Sequence, residues 1–228
     1  MSFVGKALFE IFRFPIAVLF HLAGWKITRK TLEQDKLVLT GTPHTSNWDY
    51  PLFLASSIVL RRKMYVTVKS ELFFFPIAGL LKAIGCIPVY RDSSNNLVDQ
   101  LVEMVNSRER ILLLFTPSGT RSYAEYWKSG FYWTAHKAGV PILNAIANYK
   151  TKTVHMHVMY EPSGDLEADL EYVRQEQEKH GHGLYPEKTN PVRTRAEYEA
   201  SLEENASDDD MMDAMADDDS SSTQERSA

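Results

Sequence analysis

Short apolar runs alternate with longer stretches of helical periodicity along most of the chain. Runs at Leu37–Thr40, Tyr65–Val68, Cys86–Tyr90, Ile111–Phe115, Ile142–Ala147 and Val154–Tyr160 have the length and composition of strands. Between and after them, the spacing predicts a helix that opens just before Asp49 and runs on through Leu60, and helices over Pro76–Ile84, Asn96–Ser107, Phe131–Ala138 and Asp165–Lys179. Ser46 or Asn47 can cap the first of these helices, whose opening turn holds Asp49 and tolerates Pro51. Elements alternating in this order predict an α/β fold, a mixed and mostly parallel sheet flanked by helices. No internal repeat is evident.

A different pattern precedes the first strand. Phe3 to Trp25 is rich in Phe, Leu, Ile and Val, yet Lys6, Glu10 and Arg13 recur at spacings that share one helix face. Its uninterrupted apolar part, Phe14 to Trp25, is about a dozen residues and includes Pro15 and His21, short of the roughly twenty needed to cross a bilayer. Glu10 and the lack of a small-residue cleavage site argue against an exported leader. The segment reads as an apolar helix pair lying in a membrane interface, with Phe3, Phe9, Phe12, Phe14 and Phe20 crowded together and Lys26, Arg29 and Lys30 following. An ordinary core helix is the competing reading. Each basic residue near an anionic leaflet contributes on the order of 1 kcal/mol.

Charge sharpens that expectation. The chain of 228 residues has a net charge of −5, but residues 201–228 hold ten acids against Arg226, and residues 1–152 hold nineteen basic and ten acidic side chains. A net-positive body favours an anionic partner. The expected organisation is membrane-interface helices over 1–30, a catalytic domain over 31–200 and an acidic disordered tail over 201–228. Asp208–Asp210 and Asp217–Asp219 lack the glycine and glutamate positions of a calcium loop. The single cysteine, Cys86, excludes an internal disulfide and reads as a small buried hydrophobe.

Candidate chemistry centres on Thr42-Pro43-His44-Thr45-Ser46-Asn47-Trp48-Asp49. A loop histidine just before a helix can face a carboxylate in that helix's first turn, which fixes its tautomer and leaves the other ring nitrogen as a base. Thr116-Pro117-Ser118-Gly119-Thr120-Arg121-Ser122 follows an apolar strand, where Pro117 and Gly119 shape a turn and Arg121 can offer a bidentate fork to phosphate. Arg91 and Lys69 also follow strands. Together these residues suggest deprotonation of a hydroxyl beside a bound anion. His155 and His157 share a strand face, but with no third ligand in view they read as a polar edge, and no metal is expected. His180 and His182 end a helix, and His136 reads as structural. The aromatic cluster Tyr123, Tyr126, Trp127, Tyr132 and Trp133 fits either core or an acyl channel. No nucleic-acid motif accompanies the basic residues.

Four blocks in order, His44 to Asp49, Gly85 to Arg91, Pro117 to Ser122 and Val140-Pro141-Ile142, resemble the lysophosphatidic acid and glycerophosphate acyltransferase family across roughly residues 35–150. The resemblance implies that His44 is the general base, that Asp49 orients it, and that Arg91, Gly119, Thr120 and Arg121 line the site of a lysophospholipid acceptor. It implies acyl-CoA or acyl carrier protein as donor, no resident cofactor, and a place on the cytoplasmic face of a membrane. Ser118 stands where the family usually has glutamate, which bears on the acceptor rather than on the base. Two other readings are a serine esterase with Ser118 as nucleophile, although the Gly-x-Ser-x-Gly elbow is missing, and a non-catalytic lipid-binding protein.

Overall fold

The computed structural model describes residues 3–29, 31–89 and 94–206. Among them, one sheet is built from β1 (Lys26–Ile27), β2 (Lys36–Thr42), β3 (Met64–Lys69), β4 (Cys86–Val89), β5 (Ile111–Phe115), β6 (Ile142–Asn148), β7 (Thr153–His155) and β8 (Met159–Tyr160). The helices are α1 (Phe3–Leu22), α2 (Asp49–Val59), α3 (Ile77–Ala83), α4 (Ser94–Asn106), α5 (Gly130–Ala138) and α6 (Leu166–His180).

The strand order is β1-β7-β6-β2-β5-β3-β4, with β8 also against β6. β2 is central and parallel to both β5 and β6, and β3 continues the parallel run from β5 to β4. The only antiparallel pairings are those of β7 and β8 with β6; β1, parallel to β7, shares the direction of β7, and the sheet is mixed and mostly parallel. The central strands are apolar on both faces because both faces are covered. Val38, Ile111, Leu113 and Ile142 pack under α4, α5 and α6, whereas Leu37, Leu39, Leu112, Leu114 and Leu143 pack under α1 and α2. Parallel pairing also puts the carboxyl ends of β2, β3, β4 and β5 on one edge, the position where open α/β sheets bind ligands.

Three expectations change. The N-terminal segment is one helix, not a pair: α1 runs through Pro15, whose missing N–H removes a single intrahelical bond while its φ stays helical. Phe20 seats α1 on the sheet, leaving Phe14, Leu19 and Leu22 exposed. The strand expected over Val154–Tyr160 divides in two. Between the pairs Ile146↔His155 and Leu143↔Met159, β6 advances three residues and its partner four, and the extra residue breaks the ladder around His157. Finally, α2 is capped by Trp48 without a side-chain bond, because Ser46 and Asn47 lie in the loop before it. No helix among the described residues is long and apolar enough to cross a membrane. A further helix runs over 195–206, so it extends into the stretch expected to be a disordered tail, and the rest of that acidic stretch lies outside the described residues.

Candidate active site

β2 delivers the chain to the ligand edge of the sheet, and the loop after it carries His44. Asp49, the first residue of α2, is fully buried and organises that loop by accepting four hydrogen bonds. His44 Nδ1 lies 3.0 Å from Asp49 Oδ2, which also accepts from Thr45 N at 2.8 Å and Ser46 N at 2.9 Å. The Tyr149 hydroxyl donates to Oδ1 at 2.6 Å. Burial alone pushes the Asp49 carboxyl up, but the bonds from His44, Tyr149 and the two amides outweigh it, so the group is held below its ordinary value. A carboxylate only accepts, so the His44 proton sits on Nδ1 and Nε2 is left as the basic nitrogen. Burial and the Asp49 charge hold the Tyr149 phenol up, so it remains a donor.

The second motif comes alongside. Ser118 is buried and lines a narrow cavity with His44, Thr42, Trp127, Gln177 and Asn190. Its hydroxyl donates to Thr120 O at 2.9 Å, so its proton is directed at backbone. Gly119 sits in a left-handed turn at φ 66°, closed by Gly119 N donating to Thr116 O at 2.8 Å. The exposed Arg121 reaches across to donate to Asn47 Oδ1, joining the two motifs through residues 74 apart in sequence. Lys69 ends β3 on the same edge of the sheet, while Arg91 lies outside the described residues.

Several residues at the site had no sequence signal. Lys128 lies over the turn, and a β-carbon at Gly119 would come within 3.0 Å of its Nζ. Gln177 and Asn190 bring buried amide atoms to the His44 cavity, and Gln177 Oε1, both Asn190 side-chain polar atoms and Thr42 Oγ1 have no partner among the described residues. Such groups are costly unless a ligand or water pairs them. Tyr149 follows β6, whose parallel register with β2 matches Ile146 to Thr42, and that pairing is the cue that could have placed it near His44. From the far side, Gly183 backs the His44 loop; a β-carbon there would lie 2.7 Å from Thr45 Oγ1, which also accepts from Tyr185 N at 3.3 Å.

Two larger hollows flank this centre. One of about 390 Å³ opens on the other side of the Ser118 turn, with Val66, Leu101, Leu114, Phe115 and Phe131 as apolar walls and Lys128 at its rim. Another of about 630 Å³ lies beyond Gln177 and Asn190, where Arg174 and Arg193 already face Glu197 and Glu125. Of the aromatic cluster, Trp127 and Tyr132 are core, while Tyr123 and Trp133 remain exposed. Cys86 is buried near the Tyr50 hydroxyl, and burial pushes its thiol up against a weaker opposing pull from that hydroxyl.

The family model described as Acyltransferase matches residues 26–147. The fold is similar to the crystal structure of the 1-acyl-sn-glycerophosphate acyltransferase PlsC from Thermotoga maritima, with a TM-score of 0.52 and 15% identity over 78% of this chain and 82% of that one. No curated protein matches in sequence.

Proposed function

Because the chain belongs to the Acyltransferase family, we propose that it moves a fatty acyl group from acyl-CoA or acyl carrier protein to the free hydroxyl of a lysophospholipid such as 1-acylglycerol-3-phosphate, in phospholipid biosynthesis. The observation that carries this reading is His44 held through Nδ1 by a buried, four-bonded Asp49. His44 Nε2 takes the proton of the acceptor hydroxyl as its oxygen attacks the thioester carbonyl. The tetrahedral intermediate then expels thiolate, which recovers the proton from the imidazolium to leave an ester and a free thiol. The thioester is already activated, so the step asks for orientation and proton transfer rather than a cofactor.

Arg121 and Lys128, with Lys69 from the end of β3, supply positive charge for the acceptor's phosphate, and Arg91 is assigned the same role on the family resemblance alone. Ser118, Gly119 and Thr120 shape the turn beneath it. The apolar hollow beside Lys128 fits an acyl chain with its head at the cationic rim. We assign the chain to the cytoplasmic face of a membrane as a peripheral or monotopic protein, with residues 1–30 at the interface, 31–200 as the acyltransferase domain and 201–228 as a solvated tail. Exposed Phe14, Leu19 and Leu22 on α1, together with Phe75 at 95% exposure, support the lipid surface.

The esterase reading loses ground because the Ser118 hydroxyl donates to Thr120 O, whereas a nucleophile needs its base within hydrogen-bond reach. The deciding experiment gives the purified chain acyl-CoA or acyl carrier protein thioesters with a panel of phosphorylated and unphosphorylated lysolipids and measures thiol release. Acceptor-dependent release supports the transferase. Release without any acceptor, or labelling of Ser118 by a fluorophosphonate, supports the esterase, and lipid binding with no release supports the non-catalytic reading.

A further inference from the structure

The broken ladder between β7 and β8 sets His157 outside both strands, opposite the last turn of α6. Glu176 and His180 are one helical turn apart on α6 and share a face. Glu176 Oε2 accepts from His157 Nε2 and lies 3.5 Å from His180 Nε2. One donor atom from each of the three residues falls within 4.8 Å of the others. A fourth ring, His155, stacks on His180 with centroids 4.3 Å apart. His157 is exposed while Glu176 and His180 are half-buried, so the group is open to solvent on one side.

We propose that His157, Glu176 and His180 form a binding site for a borderline divalent transition metal of the zinc class. Two imidazoles and one carboxylate are a zinc donor set that leaves a fourth position for water. Magnesium and calcium require mostly oxygen ligands and are disfavoured by the same set. The ion would tie the last turn of α6 to the β7–β8 connection. Gln177, the residue after Glu176, lines the His44 cavity, and residues 181–185 run on from this turn to back Thr45. The site therefore clamps the scaffold behind the candidate active site without entering the reaction, and its test does not depend on the proposed activity.

Full-length, tag-free protein stripped with a chelator is titrated with zinc by calorimetry, with magnesium as control. One equivalent of zinc per chain, a raised Tm and no response to magnesium are expected. His157→Ala and His180→Ala should each weaken zinc binding by at least about tenfold, and Glu176→Gln, which preserves shape, should weaken it too. X-ray absorption of the zinc-loaded wild type, which needs no variant to fold, should show imidazole nitrogen ligands. Wild-type protein that takes up no zinc, a loaded site without nitrogen ligands, or unchanged binding in His157→Ala and His180→Ala overturns the proposal. The last result would place the metal elsewhere, for instance on the Asp-rich tail.

Discussion

Tyr149 and Asp49 stand 100 residues apart in sequence and 2.6 Å apart in space, the phenol donating to the carboxylate oxygen that His44 does not use. The pair is one of four hydrogen bonds, with those from His44, Thr45 and Ser46, that together keep a fully buried carboxylate ionised. Tyr149→Phe removes one donor and leaves Oδ1 short of a partner, so stability should fall by about 1–3 kcal/mol. The rate should fall less than for loss of His44, since the His44 contact persists. Urea denaturation alongside steady-state kinetics checks both; an unchanged stability would mean that the hydroxyl does not support Asp49.

His44→Ala should lower kcat by about two to four orders of magnitude while leaving the KM for the acceptor nearly unchanged, as expected for a proton-transfer group. Thiol release at saturating donor provides the measurement. Turnover at the wild-type rate would remove His44 from the mechanism.

Asp49 predicts a particular pH dependence. Its folded carboxyl is held below the ordinary 3.8, so it stabilises the fold at pH values above that ordinary value, and the contribution is lost as the pH falls through the lower folded value. Asp49→Asn removes this contribution. The stability gap between wild type and variant should therefore be widest near neutrality and shrink as the pH drops from about 5 toward 2. Activity of the variant should fall by at least about two orders of magnitude. Chemical denaturation across that pH range provides the test, and a gap that widens in acid would contradict the hydrogen-bond assignment.

Arg121→Ala should raise the acceptor KM by about tenfold to a hundredfold, the equivalent of a charge-assisted hydrogen bond, with a smaller change in kcat. Arg121→Lys should recover only part of this, because lysine lacks the planar fork. If both variants bind phosphorylated acceptors as tightly as wild type does, the anion lies nearer Lys128.

The parallel strands and their helices were legible in the sequence because each central strand is apolar on both faces, as in Ile111-Leu112-Leu113-Leu114-Phe115. His44 and Asp49 were legible for a local reason: a strand that ends at Thr42 and a helix that starts at Asp49, seven residues on, leave few geometries for the loop that holds His44. Tyr149, Lys128, Gln177 and Asn190 were not, since each reaches the site through packing between elements distant in sequence. The same holds for His157 beside His180. Spacing showed two histidines near a strand and two near a helix end, but not that a one-residue slip against β6 would set one beside the other. Pro15 misled in the opposite direction, because proline marks a probable break and α1 continues through it.

Gly183 lies against Thr45 with no room for a side chain, and it belongs to a stretch well beyond the family-matched residues 26–147. The portable catalytic unit is therefore larger than the segment that carries its recognisable motifs. A fragment ending at residue 147 would keep His44, Asp49 and Arg121 yet lose Tyr149, the covering strands on β6 and the backing of the histidine loop. Chimeras between relatives inherit the same constraint: exchanging the C-terminal third exchanges part of the active-site support, even where every motif residue stays with its original host.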